Sequence, residues 1–318
     1  MQEMYSLIGG TIECLELPDP NDFVLPGVRW GAFDELLTPA YWRGQAWQHE
    51  RLGTYCNLRL GNTLLEEIAA CLLGGFGMKA ELGLAAFARL RDRGLLQGAP
   101  AEDALEHALA EPFVIRGHPR RYRFPRQKSR YLAACLSRLN DFIEPSSDIV
   151  LRDRLAEFPG IGLKTASWIV RNYRGSNNVA VIDIHILRAG RHIGLFPPEF
   201  NPQRHYCSLE DAFIRFATAL DTGAGMLDGL MWDYMRRLVV ITMSNRNRLG
   251  HPAAAFANGL SEVTWSIADQ SALDGRPINA TPAAVNLCSK PSARTTSCPR
   301  IPSGQKASRN AVAAKKSV

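Results

Sequence analysis

The sequence predicts an all-α protein, and three observations lead to that prediction. From Asn62 to Gly250, apolar residues recur every three or four positions in successive segments, the spacing of helices with one buried face. Alternation of apolar and polar residues, which would indicate strands, is scarce in the same region. The 318 residues are 46% hydrophobic and 21% charged, an ordinary globular composition, so a collagen, a coiled coil and a wholly disordered chain are excluded.

The chain divides into three segments of different character. Residues 1–61 are punctuated by proline and glycine, and they predict an irregular N-terminal segment, with short extended pieces, that packs on the core. Residues 62–250 predict a helical domain. Residues 251–318 lose the periodicity and are dominated by Ser, Ala, Pro, Thr and Asn. Such a segment cannot bury enough apolar surface to offset the entropy of ordering, so it predicts a disordered tail.

Capping signals and apolar spacing define the individual helices. Asn62 or Thr63 can cap the first helix, because acidic residues follow in its first turn, and Pro125 suits the start of another. The predicted helices cover residues 64–72, 82–90, 101–109, 125–139, 148–157, 164–174, 184–193, 209–220 and 226–243.

Charge and cysteine content restrict the function classes. The tail has eight Lys and Arg against three Asp and Glu, so it supplies most of the net charge of +6 and predicts either loose attraction to nucleic acid or a dispensable extension. Seven widely spaced cysteines without a CxxC pair disfavour zinc and iron–sulfur sites. No apolar run approaches the ~20 residues that span a bilayer, and no secretory signal is evident. We expect a cytoplasmic protein with reduced thiols and no membrane partner.

A glycine hairpin joins two of the predicted helices, at about residues 148–174. Pro159, Gly160 and Gly162 form a tight turn immediately before the helix that contains Lys164. Backbone amides of such a hairpin point outward together with the N-terminus of the following helix, and they can bind a DNA phosphate. Taken alone, the hairpin fits a simple corner between two helices equally well.

A second acidic signal follows the hairpin. Asp183 comes after four apolar residues and stands where a new helix must begin, so it is a natural N-cap. The helix from Lys164 runs for about ten residues, or ~15 Å, and the next eight or so residues can retrace that distance. Lys164 and Asp183 are therefore expected to lie side by side, either as a catalytic pair or as a structural ion pair.

These residues resemble the helix-hairpin-helix (HhH-GPD) DNA glycosylase superfamily. Residues 158–164 followed by Asp183, nineteen positions after the lysine, are similar to the 8-oxoguanine DNA glycosylase/AP lyases, and 164–172 with 182–188 are similar to their compact prokaryotic branch. The resemblance implies a helical fold of two lobes around a cleft. It also implies that Lys164 is the nucleophile and Asp183 its acidic partner.

The resemblance also suggests roles for residues around this pair. It implies that His185 lies near a phosphate of the target nucleotide, and that Trp232 and Asp233 lie where the extruded base is read. Trp168 is one turn after Lys164 and could line the base pocket, where the eukaryotic-type enzymes carry a cysteine. The alternative for each of these side chains is an ordinary surface or core position.

A basic stretch and a glycine loop complete the candidate site. The stretch from 116 to 130 has no acid and interleaves its cations with Tyr122 and Phe124, which favours a track for DNA phosphates over a merely soluble loop. Its assigned DNA-binding cations are Arg120, Arg121, Arg123, Arg126 and Lys128, beside Gly160 and Gly162 of the hairpin. Phe76, on a loop of three glycines where the family has a polar turn, is either a wedge that fills the gap left by the base or a buried anchor.

Together these observations predict a monomeric, metal-free, bifunctional DNA glycosylase/AP lyase that flips a modified base out of double-stranded DNA. We expect an oxidised purine as the target and no cofactor, although the hairpin could hold a monovalent cation. One alternative keeps the chemistry but aims it at a hypermodified base of invading phage DNA, as a defence factor. Another is a non-enzymatic helix-hairpin-helix module that only binds DNA, for which Lys164 and Asp183 would not be needed.

Overall fold

The computed structural model describes residues 1–75, 77–98 and 100–249. Phe76 and the tail predicted for 251–318 therefore lie outside the described residues. The described part is built from helices, and its only strands form three short antiparallel hairpins, as the prediction of an all-α protein requires. The helices are α1 Pro39–Arg51, α2 Leu64–Leu73, α3 Ala80–Asp92, α4 Glu102–Ala110, α5 Pro125–Leu139, α6 Asp148–Ala156, α7 Leu163–Arg174, α8 Ile184–His192, α9 Pro202–Ala219 and α10 Ala224–Leu249. The strands are β1 Gln2–Ile8, β2 Thr11–Leu17, β3 Phe23–Leu25, β4 Val28–Arg29, β5 Phe113–Ile115 and β6 His118–Arg120.

Helix starts follow the predicted capping chemistry. The Thr63 hydroxyl accepts a hydrogen bond from the backbone amide of Glu66 at 3.2 Å, and the Glu66 carboxylate accepts one from the amide of Asn62 at 2.6 Å. These two bonds form a capping box that satisfies donors at the start of α2. Pro125 is the first residue of α5, where its missing amide hydrogen costs nothing.

Over residues 1–61 the structure has the extended pieces that the sequence predicts, packed on the core, but also a helix, α1, that the sequence does not predict. Strands β1 and β2 pair along their whole length, and α1 is a helix of 13 residues. The Thr38 hydroxyl caps α1 by accepting from the amide of Tyr41 at 3.1 Å. The sequence does not predict α1 because this segment mixes polar residues with its buried ones and contains Gly44, a poor helix former. Burial of Trp42 against the rest of the protein stabilises α1 instead.

Two hydrophobic clusters form the core. The first gathers α2 to α7 and includes Ile68, Leu132 and Ile169. The second combines the N-terminal residues with α8, α9 and α10, so that Trp42 and Phe213 lie in one cluster although they are far apart in sequence. The chain passes from the first cluster to the second at residues 179 and 180, because Val179 belongs to the first and Ala180 to the second. Among the described residues, no helix is both long enough and apolar enough to cross a membrane.

Candidate active site

The hairpin between α6 and α7 has one glycine that the fold requires and one that it does not. Gly160 has a φ of +78°, a left-handed conformation that favours glycine, and the Tyr131 ring occupies the space that a β-carbon would need. Gly162 is the N-cap of α7, is exposed and has extended backbone; a β-carbon there would meet no atom within 4 Å. The structure therefore leaves the outer side of the hairpin at Gly162 open to a ligand.

Lys164 is the second residue of α7 and is half-buried. Within the described ranges, its ammonium group has no carboxylate within 4.0 Å, and its side chain makes no hydrogen bond. The alternative of a structural ion pair between Lys164 and Asp183 is therefore not realised. The amine remains available for a substrate at the start of a helix.

Asp183 is the N-cap of α8, as predicted. One of its carboxylate oxygens accepts from the amides of His185 at 2.8 Å and Ile186 at 3.0 Å. Leu163, the first residue of α7, packs against the cluster that contains Ile182 and Ile186. Leu163 and Ile182, the chain neighbours of Lys164 and Asp183, thus contribute to the same hydrophobic cluster. The side-by-side placement of Lys164 and Asp183 themselves stays a prediction.

Buried side chains from α9 and α10 fix the extended segment that leads to Asp183. The Glu210 carboxylate accepts from the amide of Ala180 at 3.1 Å, and the Asp228 carboxylate accepts from the amide of Val181 at 2.7 Å. The Tyr206 hydroxyl donates to the carbonyl of Ala180 at 2.9 Å. Three bonds on two consecutive residues position the backbone just before the cap.

Each of these carboxylates is paired with a buried arginine. Arg152 of α6 binds Glu210, and Arg171 of α7 binds Asp228. Burial raises the pKa of Glu210, while the Ser167 hydroxyl and Arg152 oppose that shift. Burial likewise raises the pKa of Asp228 to about 6, against the attraction of Arg171. Sequence reasoning missed these four residues; the only available signal was a charged residue on an apolar helix face.

Lys128 has a partner within the protein. Its ammonium donates to the carbonyl of Leu72 at 2.7 Å, at the C-terminal end of α2. Burial, and next the positive charge of Lys164, lower the pKa of Lys128. The neighbouring Tyr122 hydroxyl donates to the carbonyl of Leu73 at 2.6 Å. Lys128 thus has a structural role in capping α2, and its contact with DNA stays a prediction.

The glycine loop after α2 lies against α7 and the basic stretch. A β-carbon on Gly74 would be 3.1 Å from Cη2 of Trp168, so the indole ring packs directly on this loop. A β-carbon on Gly77 would be 3.0 Å from Nη1 of Arg123. The structure therefore brings Trp168, Arg123 and the loop together, whereas the wedge role of Phe76 falls outside the described residues.

The remaining arginines of the basic stretch are exposed. In the part of the chain that the structure describes, no carboxylate lies within 4.0 Å of Arg120, Arg121 or Arg126. Arg116 does have such a neighbour, Glu81 at 3.3 Å, and both side chains are exposed. A series of unpaired cations therefore continues from the start of α5 into the β5–β6 hairpin.

His185 contains an unpartnered buried atom. Its Nδ1 is buried and makes no hydrogen bond within the described structure. Burial lowers the pKa of His185; Asp183 opposes that shift, and Arg188 and Arg236 add to it. Buried polar atoms normally have partners, so this nitrogen has capacity for a bond that the protein itself does not supply.

Trp232 and Asp233 lie on α10 in a network of their own. The Asp233 carboxylate accepts from the Tyr55 hydroxyl at 3.0 Å, from Arg236 at 2.6 Å and from Arg237. The Arg236 guanidinium stacks over the Trp232 ring at 4.8 Å. Both Asp233 oxygens thus accept hydrogen bonds from protein groups. The role of Asp233 in binding the extruded base stays a prediction, and it would require sharing or exchanging these bonds.

The described His, Cys, Asp and Glu side chains do not form a metal-binding group. Within the described ranges, no three His, Cys, Asp or Glu side chains gather in an arrangement that could hold a metal ion. Cys14, Cys56, Cys71, Cys135 and Cys207 are free thiols. The predictions of no cofactor, and of a monovalent cation at the hairpin, are not tested by these observations.

The fold and the site agree with one class of proteins. Two helices joined by a glycine hairpin, a lysine at the start of the second, and an N-capping aspartate nineteen residues later define the helix-hairpin-helix class that the sequence resembles. The family model described as 8-oxoguanine DNA glycosylase matches residues 49–222, more than half of the chain. The chain therefore belongs to the 8-oxoguanine DNA glycosylase family, as the sequence predicts.

Known proteins with similar sequences carry the same description. An 8-oxoguanine DNA glycosylase/AP lyase of Metallosphaera sedula is 35% identical over 116 residues, which cover 35% of this chain and 57% of the relative. The corresponding protein of Saccharolobus solfataricus is 33% identical over 122 residues, covering 35% and 58%. The crystal structure of the 8-oxoguanine DNA glycosylase of Thermotoga maritima has a TM-score of 0.49 at 22% identity, covering 63% and 96%. The matches to the first two relatives span less than two thirds of those proteins.

Proposed function

We propose that the protein is a bifunctional DNA glycosylase/AP lyase that removes an oxidised purine, with 8-oxoguanine as the first candidate, from double-stranded DNA. The observation that carries the proposal is the unpaired Lys164 at the start of α7, directly after an open glycine hairpin. Asp183, the N-cap of α8, supplies the carboxylate that is predicted to lie beside it. Membership of the 8-oxoguanine DNA glycosylase family supports the substrate class.

The hairpin would hold the DNA backbone. Its exposed Gly162 allows a phosphate to approach the first amides of α7 closely, where the helix dipole favours an anion. The unpaired cations Arg120, Arg121 and Arg126 provide further phosphate contacts along the same protein face. This arrangement positions a duplex so that one nucleotide can be extruded toward Lys164.

The chemistry follows from an amine and a carboxylate beside the extruded sugar. Cleavage of the N-glycosidic bond builds positive charge on the deoxyribose, which the Asp183 carboxylate stabilises. The neutral amine of Lys164 attacks C1′, the base leaves with the bonding electron pair and takes up a proton, and the sugar ring opens to a Schiff base.

The lyase step uses the same covalent intermediate. The Schiff base acidifies the C2′ hydrogen, and loss of that proton expels the 3′ phosphate by β-elimination. Water then hydrolyses the imine and releases Lys164. None of these steps calls for a metal or an organic cofactor, so we propose that the protein works without one, on duplex DNA alone.

Covalent trapping tests the proposal directly. Borohydride should reduce the Schiff base and yield a protein–DNA adduct with a duplex that contains 8-oxoguanine. Lys164→Gln should abolish the adduct and reduce strand cleavage on the order of a thousandfold or more, as expected when a nucleophile is removed. Lys79→Gln, the same change at an exposed lysine at the start of α3, should leave the adduct intact. Normal trapping by Lys164→Gln would contradict the proposal.

A second candidate keeps this chemistry and changes the target base. The Trp168 ring packs on Gly74 of an apolar loop, so a large aromatic wall stands one turn from Lys164. Such a wall suits a base other than the usual oxidised purine, including a hypermodified base of phage DNA. Comparing 8-oxoguanine, alkylated purines and glucosylated cytosine in the trapping assay separates the candidates, because rapid reaction with 8-oxoguanine alone would exclude the second.

A further inference from the structure

Glu67 of α2 is a buried acid that the proposed chemistry does not use. It is 0% exposed. In the part of the chain that the structure describes, no Lys or Arg lies within 4.0 Å of its carboxylate, in contrast to Glu210 and Asp228. A buried carboxylate without a cation is costly unless hydrogen bonds satisfy its oxygens, so the partners of Glu67 show what it holds.

Both oxygens of Glu67 accept hydrogen bonds. Oε2 accepts from the backbone amides of Leu60 and Gly61, each at 2.8 Å. Oε1 accepts from Nδ2 of Asn172 at 2.8 Å and from the Cys71 thiol at 3.6 Å. The carboxylate therefore joins the segment before α2 to the last turn of α7.

The Asn172 amide is fixed in one orientation. Its Nδ2 donates to Glu67, while its Oδ1 accepts from Nε of Arg171 at 3.0 Å. Turning the amide over would set its oxygen against the Glu67 carboxylate and its nitrogen against the Arg171 guanidinium, so both bonds would be lost. The side chain thus passes a defined donor and acceptor pattern from Glu67 to Arg171.

The bonds continue from Arg171 to the segment that leads to Asp183. Arg171 binds one oxygen of Asp228, and the other oxygen accepts from the amide of Val181 at 2.7 Å. Val181 is two residues before the Asp183 cap. The four side chains of this network, which we call the Glu67 network, are at most 9% exposed and comprise Glu67, Asn172, Arg171 and Asp228.

Burial makes the Glu67 network directional and rigid. Where water does not reach, a donor or acceptor that loses its partner has no replacement, and the remaining groups must shift to find one. Because donors and acceptors alternate along the network, a change of polarity at Glu67 disturbs each later bond in turn. The last of these bonds holds the backbone of Val181.

We propose that Glu67 is a positioning residue for Asp183, acting through Asn172, Arg171 and Asp228 on the backbone before the α8 cap. Since Glu67 is fully buried, it acts without touching the substrate. This inference rests on the proposed function insofar as Asp183 is the carboxylate that stabilises the sugar cation.

A reversal of polarity tests the Glu67 network. Glu67→Gln places an amide nitrogen against Nδ2 of Asn172, and it should lower single-turnover cleavage by about tenfold or more with unchanged duplex affinity, as small displacements of a reacting group do. The double variant Glu67→Gln, Asn172→Asp reverses that bond, because the new amide donates to the new carboxylate, whose other oxygen accepts from Arg171. We expect it to restore cleavage to within about threefold of the wild type. Wild-type cleavage by Glu67→Gln, or no recovery in the double variant, would overturn the proposal.

Amide hydrogen exchange provides a readout that does not depend on activity. In the peptide that contains residues 179–183, exchange should be faster in Glu67→Gln and return to the wild-type rate in the double variant, because the Val181 amide regains its bond. Leu105→Ala is the control, since it opens a cavity in α4 at a side chain that is 0% exposed. It should lower the melting temperature at least as much as Glu67→Gln, yet leave cleavage and exchange of 179–183 unchanged. Equal effects of the two variants on both readouts would overturn a specific role of Glu67.

The two readouts separate this inference from the proposed function. If the wild type forms no adduct with any modified base, the proposed glycosylase activity fails, yet exchange of 179–183 still decides whether Glu67 holds the segment before Asp183. Conversely, unchanged exchange in Glu67→Gln would overturn the inference even where the wild type cleaves an 8-oxoguanine duplex.

Discussion

The charges that hold the segment before Asp183 are buried and paired, whereas Lys164 and most cations of the basic stretch have no carboxylate partner in the described structure. Glu210 with Arg152 and Asp228 with Arg171 hold the backbone before the cap. Lys164, Arg120, Arg121 and Arg126 have no carboxylate within 4.0 Å in the described structure, although Arg116 at the start of the basic stretch pairs with Glu81. The buried pairs therefore fix the backbone before Asp183, whereas the cations without a carboxylate partner are available to a ligand.

The largest effect on activity is expected from a substitution at Asp183, the residue that the buried pairs position. Asp183→Asn keeps an N-cap for α8, because asparagine caps helices about as well as aspartate, but it removes the charge that stabilises the sugar cation. We expect strand cleavage to fall on the order of a thousandfold, with unchanged thermal stability and DNA affinity. Single-turnover kinetics and thermal unfolding measure the two quantities. A variant with normal cleavage would show that the carboxylate only caps the helix.

A change in the buried set should alter stability instead. Glu210→Gln leaves Arg152 buried without its partner, although Asp153 still lies 2.6 Å from it. We expect a loss of about 3 kcal/mol in the free energy of unfolding, measured by urea denaturation. Asp211→Asn, at the next position of α9, breaks only an exposed pair and should cost less than about 1 kcal/mol. Equal costs would contradict the distinction between buried and exposed charges.

The two hairpin glycines differ in the same way, because Gly160 is needed for stability and Gly162 is expected to matter for DNA binding. Gly160→Ala should destabilise the protein by about 2 kcal/mol, because the position has positive φ and the Tyr131 ring fills the space. Gly162→Ala should leave stability within about 0.5 kcal/mol but weaken DNA binding, since its β-carbon would point into open space where a phosphate is expected. Thermal unfolding and duplex binding of both variants test this, and a reversed pattern would contradict the assignment.

The sequence predicted the parts of the site whose signals are local. The glycine hairpin, the cap at Asp183 and the capping box at Thr63 each depend on residues within a few positions of one another. The pairs of Arg152 with Glu210 and Arg171 with Asp228 join residues 58 and 57 positions apart. No local pattern encodes such partners, because they are fixed only when α6, α7, α9 and α10 pack.

The same reason explains the errors in the predicted fold. Helix α1 is stabilised by burial of Trp42 in a cluster with residues of α9 and α10. The sequence of α1 alone does not predict these distant partners. The bond from the Lys128 ammonium to the carbonyl of Leu72 is likewise not predicted, because it forms only when α5 packs against the end of α2. The predicted contact of Lys128 with DNA stays a prediction. The density of cations along the sequence predicts a basic surface, but it does not show which of these cations forms a hydrogen bond within the protein.

A pH dependence of stability is expected from Asp228. Its pKa in the folded protein, about 6, lies above its ordinary value of 3.8 because the carboxyl is buried. The folded state therefore binds this proton more readily than the unfolded chain, so the stability that the group contributes is fully present below about pH 4 and declines as pH rises to about 6. The slope cannot exceed about 1.4 kcal/mol per pH unit. Asp228→Asn should remove this slope, because an amide does not titrate in this range. Urea denaturation at intervals from pH 4 to 7.5 measures the slope, and parallel curves for the two proteins would mean that Arg171 and the amide of Val181 keep the carboxylate ionised throughout the range.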